Sequence, residues 1–240
     1  MALAVCLLTF SGAHAFAGVI TFIGEDLNAG PGSPTPMSSA AAASFATAAG
    51  AIGNIATINF ESAPLGSFTS LVVAPGVTLS AVASGTINNT PNFPSNPALD
   101  GFNTTPGGAN YVESLGRITT FTFSTPVQFF GVWLTGLQLN FFQDKVTFNY
   151  GTAQTINALE TGTDSSHGAV NFVGFTDAGK SITSVTITSG SGTGGDFIGI
   201  DDVSYQTTAS SVPEPASLGV VVAGLLGLGF AYRRQQANRA

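Results

Sequence analysis

The spacing of apolar residues changes near residue 55. Before it, "SSAAAASFATAAG" (Ser38 to Gly50) sets small helix formers between serines and a closing glycine, which predicts one short helix with Ser caps. The preceding "GPGSPTPMSS" reads as a loop. Beyond residue 55 the period is two. In "KVTFNY", Val146, Phe148 and Tyr150 alternate with Thr147 and Asn149, and "RITTFTF" and "SITSVTIT" likewise have one apolar and one hydroxyl face. "VQFFGVWLT" is apolar on both faces and predicts a central strand. Further runs near 55–60, 77–82, 169–175 and 197–205 bring the expectation to about eight to ten strands. Residues 88–108, rich in Pro and Asn, predict a surface loop.

No helical pattern alternates with these strands, which excludes a parallel βαβ sheet. An all-β fold remains: an antiparallel two-sheet sandwich, jelly-roll-like, with an N-terminal signal helix and one C-terminal transmembrane helix. No repeat of fixed period is present.

Composition sharpens this picture. Charged residues make up 8% of the chain, against about 25% in an ordinary soluble protein. Gly, Ser, Thr, Asn and Ala fill the polar positions, as in extracellular β-proteins, and 44% apolar residues exclude disorder. Between residues 18 and 211, Arg117, Lys145 and Lys180 face twelve carboxylates, a balance of −9. Such a surface repels phosphate backbones and excludes nucleic acid as a partner, while favouring divalent cations. The lone cysteine, Cys6, lies in the apolar N-terminal stretch, so the expected mature chain has no disulfide.

Both ends read as addresses. Ala2 to Phe10 is apolar, and Ala13-His14-Ala15 and Ala15-Phe16-Ala17 both fit a small-x-small cleavage site. At the other end, Leu218 to Tyr232 carries no charge and Arg233 and Arg234 follow it as a stop-transfer signal. Fifteen helical residues reach about 22 Å, short of a hydrocarbon core of about 30 Å. Ahead of that run, Pro213-Glu214-Pro215 is held extended by its prolines, with Glu214 as the only charge between Asp202 and Arg233. The expected organisation is a signal peptide at 1–17, a loop and short helix at 18–54, the β-sandwich at 55–207, a Pro-Glu-Pro linker at 208–217, a transmembrane helix at 218–232 and a basic cytoplasmic tail at 233–240.

"VPEPASLGVVVAGLLGLGFAYRR" resembles the PEP-CTERM sorting signal, with Pro-Glu-Pro, a short membrane helix and a basic cluster in order. The resemblance covers about 25 of 240 residues. It implies transient recognition by an exosortase, a membrane protease-transpeptidase of Gram-negative bacteria that make exopolysaccharide. It further implies a precursor anchored in the inner membrane, then a place at the cell surface or outside the cell. "DFIGIDDVSY" and "FSTPVQFFGVWL" resemble, more diffusely, the β-sandwich domains that precede such tails and carbohydrate-binding jelly rolls.

Candidate chemistry is sparse. Asp196, Asp201 and Asp202 cluster in "GGDFIGIDDVSY", where the apolar phase shifts from Ile198 and Ile200 to Val203 and Tyr205, the mark of a β-bulge. With Glu61 of "NFES" brought close by the pairing of first and last strands, they are candidate ligands of a structural Ca²⁺; the alternative is a solvated acidic edge. Tyr111 and Trp133 are candidate carbohydrate contacts, Trp133 against a core reading and Tyr111 as the more exposed ring. "GSGTGG" (190–195) precedes a strand, not a helix, so it holds no pyrophosphate. His167 has no second His and no Cys to complete a zinc site. The expectation is an exported, non-enzymatic surface or extracellular-matrix protein with polysaccharide as partner. Two rivals stay open: a carbohydrate-binding module, Ca²⁺-stabilised or not, and a hydrolase using the acidic cluster.

Overall fold

The computed structural model describes residues 18–91, 100–115, 118–138, 146–150, 154–158, 168–189 and 197–207. The chain divides into two compact units, Met1–Thr207 and Thr208–Ala240, and every described residue belongs to the first. The signal segment, the Pro-Glu-Pro motif, the predicted transmembrane helix, Arg233 and Arg234, His167, Asp196 and the glycine run at 190–195 lie outside the described residues.

The first unit runs β1 (Ile20–Leu27), α1 (Pro36–Gly50), β2 (Ile55–Ile58), β3 (Gly66–Ala74), β4 (Val77–Asn88), β5 (Tyr111–Leu115) and β6 (Ile118–Val127). It continues with β7 (Phe129–Thr135), β8 (Val146–Tyr150), β9 (Gln154–Ala158), β10 (Ala169–Thr176), β11 (Ile182–Ser189) and β12 (Phe197–Gln206). All pairings are antiparallel. Hydrogen bonding follows one path, β1-β10-β7-β12-β5-β4-β6-β11-β8-β9, with β2 added to β12 and β3 to β4.

The two expected sheets are therefore one continuous sheet of twelve strands, curled on itself. The long strand β4 makes the corner. Its first half, Val77–Ala81, pairs β6, while Thr86–Asn88 pairs β5. The curl closes over a single core in which Phe130 of β7 meets Phe121 of β6 at 5.5 Å between ring centroids. Phe123 of β6 likewise stacks on Tyr205 of β12 at 5.8 Å. Each fully buried phenylalanine contributes about 1.5–3 kcal/mol of transfer free energy.

β7 is central and covered on both sides, as its sequence predicts. Phe130, Val132 and Leu134 enter the core, whereas Phe129, Gly131 and Trp133 face α1 and the loops beside it. On that outer face Phe45 of α1 is 2% exposed and packs its ring on Phe22, Phe129 and Phe172. Gly131 and Gly174 make the seat: a Cβ at either would lie 2.8 or 2.7 Å from the Phe45 ring. Among the described residues α1 is the one helix, and none is long and apolar enough to cross a membrane.

The helix start corrects the expected Ser cap. Pro36 opens α1, and the cap comes from β1, where the Asp26 carboxylate accepts the N–H groups of Met37 (3.0 Å) and Ser38 (2.8 Å). Ser38 is instead buried, donating toward the carbonyls of Gly24 and Val170. β1, β3, β5 and β9 were not among the individual runs anticipated from sequence; in β1, "ITFIGEDL" breaks its alternation at Gly24 and carries two acids.

Phe45→Ala should cost about 3–5 kcal/mol, as a large-to-small core change does. Asp26→Ala should cost about 1–2 kcal/mol by uncapping α1. Urea denaturation of the two variants checks both, and equal, negligible losses would show that α1 is not docked as described.

Candidate functional site

β12 carries the predicted bulge. Phe197–Ile200 pairs β5 and Val203–Gln206 pairs β2, with a register shift against β7 between Asp201 and Ser204. Asp202 takes a φ of 43°, a left-handed conformation that Asp tolerates better than most residues. The bulge aims both carboxylates at the loop that precedes β5.

That loop is the second half of the stretch expected at the surface, and it is not a free surface loop. Asp100 and Phe102 are buried. The Phe102 N–H donates to Thr135 Oγ1 at 2.8 Å, and that hydroxyl donates to the Phe102 carbonyl at 2.9 Å. Asp201 Oδ2 accepts the N–H groups of Thr104 (2.7 Å) and Thr105 (3.2 Å), while Asp202 accepts the hydroxyls of Thr104 (3.0 Å) and Thr105 (2.8 Å).

Glu61 grips the other end of the same loop. Its carboxylate accepts the N–H groups of Ala109 and Asn110 at 3.0–3.1 Å and the Asn103 amide at 2.8 Å. Phe60 precedes it at a φ of 58°, strained for a bulky residue, and Asn110 ties that turn by donating toward the carbonyls of Phe60, Glu61 and Ala63. Glu61, Asp201 and Asp202 thus share a loop but are not gathered as a cation cage. Among the described residues no three His, Cys, Asp or Glu groups form a metal-binding set.

Asp201 has no exposure, and its Oδ1 has no hydrogen-bond partner. Burial, then the charge of Asp202, pushes its carboxyl up to about 7 against the opposing pull of its N–H donors. The Thr104 hydroxyl lies within bonding distance of both acids but has one proton to give.

The structure separates the two candidate aromatics. Tyr111, expected as the exposed ring, is 1% exposed, because it opens β5 inside the sheet rather than closing the loop. Its hydroxyl donates to the Thr90 carbonyl at 3.2 Å, and burial followed by the charges of Glu113 and Asp100 raises its pKa well above the usual phenol range. Trp133 is half-buried. It meets Phe172 edge-on at 5.6 Å and packs on Ala29, Phe102 and Val170, with Asp201 directly opposite on β12.

Beside Trp133 lies a cleft of about 390 Å³, with Gly30, Ser33, Thr35 and Ser39 on one wall and Asn103, Thr104 and Pro106 on the other. Asp202 is its one carboxylate among the described residues. Sequence reasoning missed both polar walls, since serines, threonines and asparagines are spread over the whole chain and only the packing singles these out.

The family model of the PEP-CTERM protein-sorting motif matches residues 211–235, a span that contains Pro213, Glu214, Pro215, Arg233 and Arg234. The chain carries an exosortase-type sorting signal, the signal of an exported protein processed from a membrane-anchored precursor. No curated protein matches the chain.

The folded chain keeps the Asp201 proton to about pH 7, while an unfolded Asp gives it up near about 4. The folded state then binds more protons between these values, so Asp201 subtracts stability as pH rises through that window, by up to about 1.4 kcal/mol per pH unit. Asp201→Asn should flatten this part of the profile. Unfolding free energies from pH 4 to pH 8 that run parallel in variant and wild type would show that Asp201 does not titrate there.

Proposed function

We propose that this is an exported, non-enzymatic protein of the cell surface or extracellular polysaccharide matrix of a Gram-negative bacterium, delivered through its C-terminal sorting signal. The observation that carries the reading is the PEP-CTERM match at residues 211–235. In this reading the signal peptide is removed on export, the tail spans the inner membrane with Arg233 and Arg234 inside, and an exosortase recognises Pro213-Glu214-Pro215.

The body supports binding over catalysis. A glycosidase of the common two-carboxylate type sets its acids about 5–9.5 Å apart on either side of the scissile bond. Here Asp201 and Asp202 are consecutive and both hold the Thr104–Thr105 turn, and Glu61 is spent on loop N–H groups. The low-charge surface, rich in hydroxyl and amide groups, suits neutral hydrogen bonding to polysaccharide. Ca²⁺ is not part of the proposal.

Intact mass in the native host, from culture medium and membranes, tests the location. The expected mature form lacks residues near 1–17 and the apolar tail and is recovered outside the cell. Replacing Pro213, Glu214 and Pro215 by alanine should hold the full-length tail in the membrane fraction. A wild-type chain that itself stays full-length in the membrane overturns the sorting reading in favour of a plain anchored domain.

A further inference from the structure

We propose that the cleft beside Trp133 is a binding site for a neutral oligosaccharide, with one sugar ring laid against the indole. This deepens the matrix reading and rests on it for its biological sense, though not for its chemistry. The cleft's volume of about 390 Å³ falls at the small end of ligand sites, which run about 300–1,000 Å³. One or two pyranose rings match that size.

The lining selects the ligand. A pyranose has an apolar face of C–H groups and a hydroxyl rim; the cleft offers an aromatic wall and polar walls to match. Trp133 packs on Phe172 and Ala29, neither of which lines the cleft, so its ring is already placed. Around it stand Ser33, Thr35, Ser39, Asn103 and Thr104. Thr35 Oγ1 and Ser39 Oγ lie 3.2 Å apart as an interchangeable donor–acceptor pair, and the Ser33 oxygen accepts the Gly30 N–H, a bond that leaves its own O–H proton to donate.

Asp202 adds the strongest acceptor. Its two oxygens each take one threonine hydroxyl, and a carboxylate has about four acceptor positions in all. Positions remain for sugar hydroxyls, whose bonds to a charged group are stronger than neutral ones. No Lys, Arg or His stands among the described lining residues, and Asp202 repels negative charge. Uronates, phosphates and sulfated sugars are therefore rejected.

The walls are set before any ligand arrives. Asp26 fixes the start of α1, and with it Thr35 and Ser39, while Asp201 and Glu61 fix the 103–110 loop. Rigid walls spare the entropy of ordering loops on binding.

The chain contains one tryptophan, Trp133, so tryptophan emission, excited selectively over its tyrosines, reports this cleft alone. Full-length protein in detergent is titrated with cellotriose, mannotriose and trigalacturonic acid. The expected result is a saturable emission change with at least one neutral trisaccharide and none with trigalacturonic acid. Calorimetry with that trisaccharide should show affinity lost in Trp133→Ala and lowered about tenfold or more in Asp202→Asn. Asn tolerates the positive φ at that position, so the second variant keeps the test sharp if the first does not fold. No saturable change with either neutral sugar, tighter binding of trigalacturonic acid, or an Asp202→Asn affinity equal to wild type each overturns the proposal. Location is read separately by mass, so a silent cleft in a protein found outside the cell defeats this inference and leaves the sorting reading in place.

Discussion

A carboxylate withdrawn from water is costly unless N–H groups surround it. The outer face of this sheet is organised around two that are so surrounded. Asp26 leaves β1 to collect the free N–H groups at the start of α1, and Asp201 leaves β12 to collect those of Thr104 and Thr105. Asp26 ties the helix to a strand of the sheet, and Asp201 ties an irregular loop to another. In a chain with so few charges, these are devices of position rather than of solubility. Asp201 is the less satisfied of the two, with an unpartnered oxygen and a negative neighbour, and its raised pKa is the consequence.

The aromatic layer supplies the rest of the order on that face. Phe45, Phe129, Phe172 and Trp133 pack in a chain of edge-on and tilted contacts, so that docking α1 and placing the indole are parts of one arrangement. The glycines at 131 and 174 are the cost of it, giving up side chains on two central strands to admit one ring.

The period-two runs of the sequence mark the core strands, and the phase slip at Asp201–Asp202 marks the bulge, because both depend on neighbours within a few residues. What stayed hidden depends on distant partners. The sheet's continuity rests on β4 changing neighbours midway, a bend that no local pattern in "VTLSAVASGTIN" announces. Helix capping from Asp26 spans eleven residues, and Ser38 reads as a cap only if Asp26 is ignored. From sequence Trp133 reads as the core ring and Tyr111 as the exposed one; the packing instead puts Tyr111 in the interior and Trp133 on a cleft wall. The acids at 61, 201 and 202 read as a ligand set, yet Glu61 and Asp201 hold backbone N–H groups and Asp202 holds two threonine hydroxyls.

β12 is the last described strand before the C-terminal segment, and it lies inside the sheet, with β7 along one side and β5 and β2 along the other. A chain held through its residues beyond Thr207 is loaded through an interior strand. Ladder bonds flank that strand on both sides, so two rows must give way together, where an edge strand has one row to lose. While the C-terminal signal still anchors the precursor, that load falls on the middle of the sheet rather than on its rim.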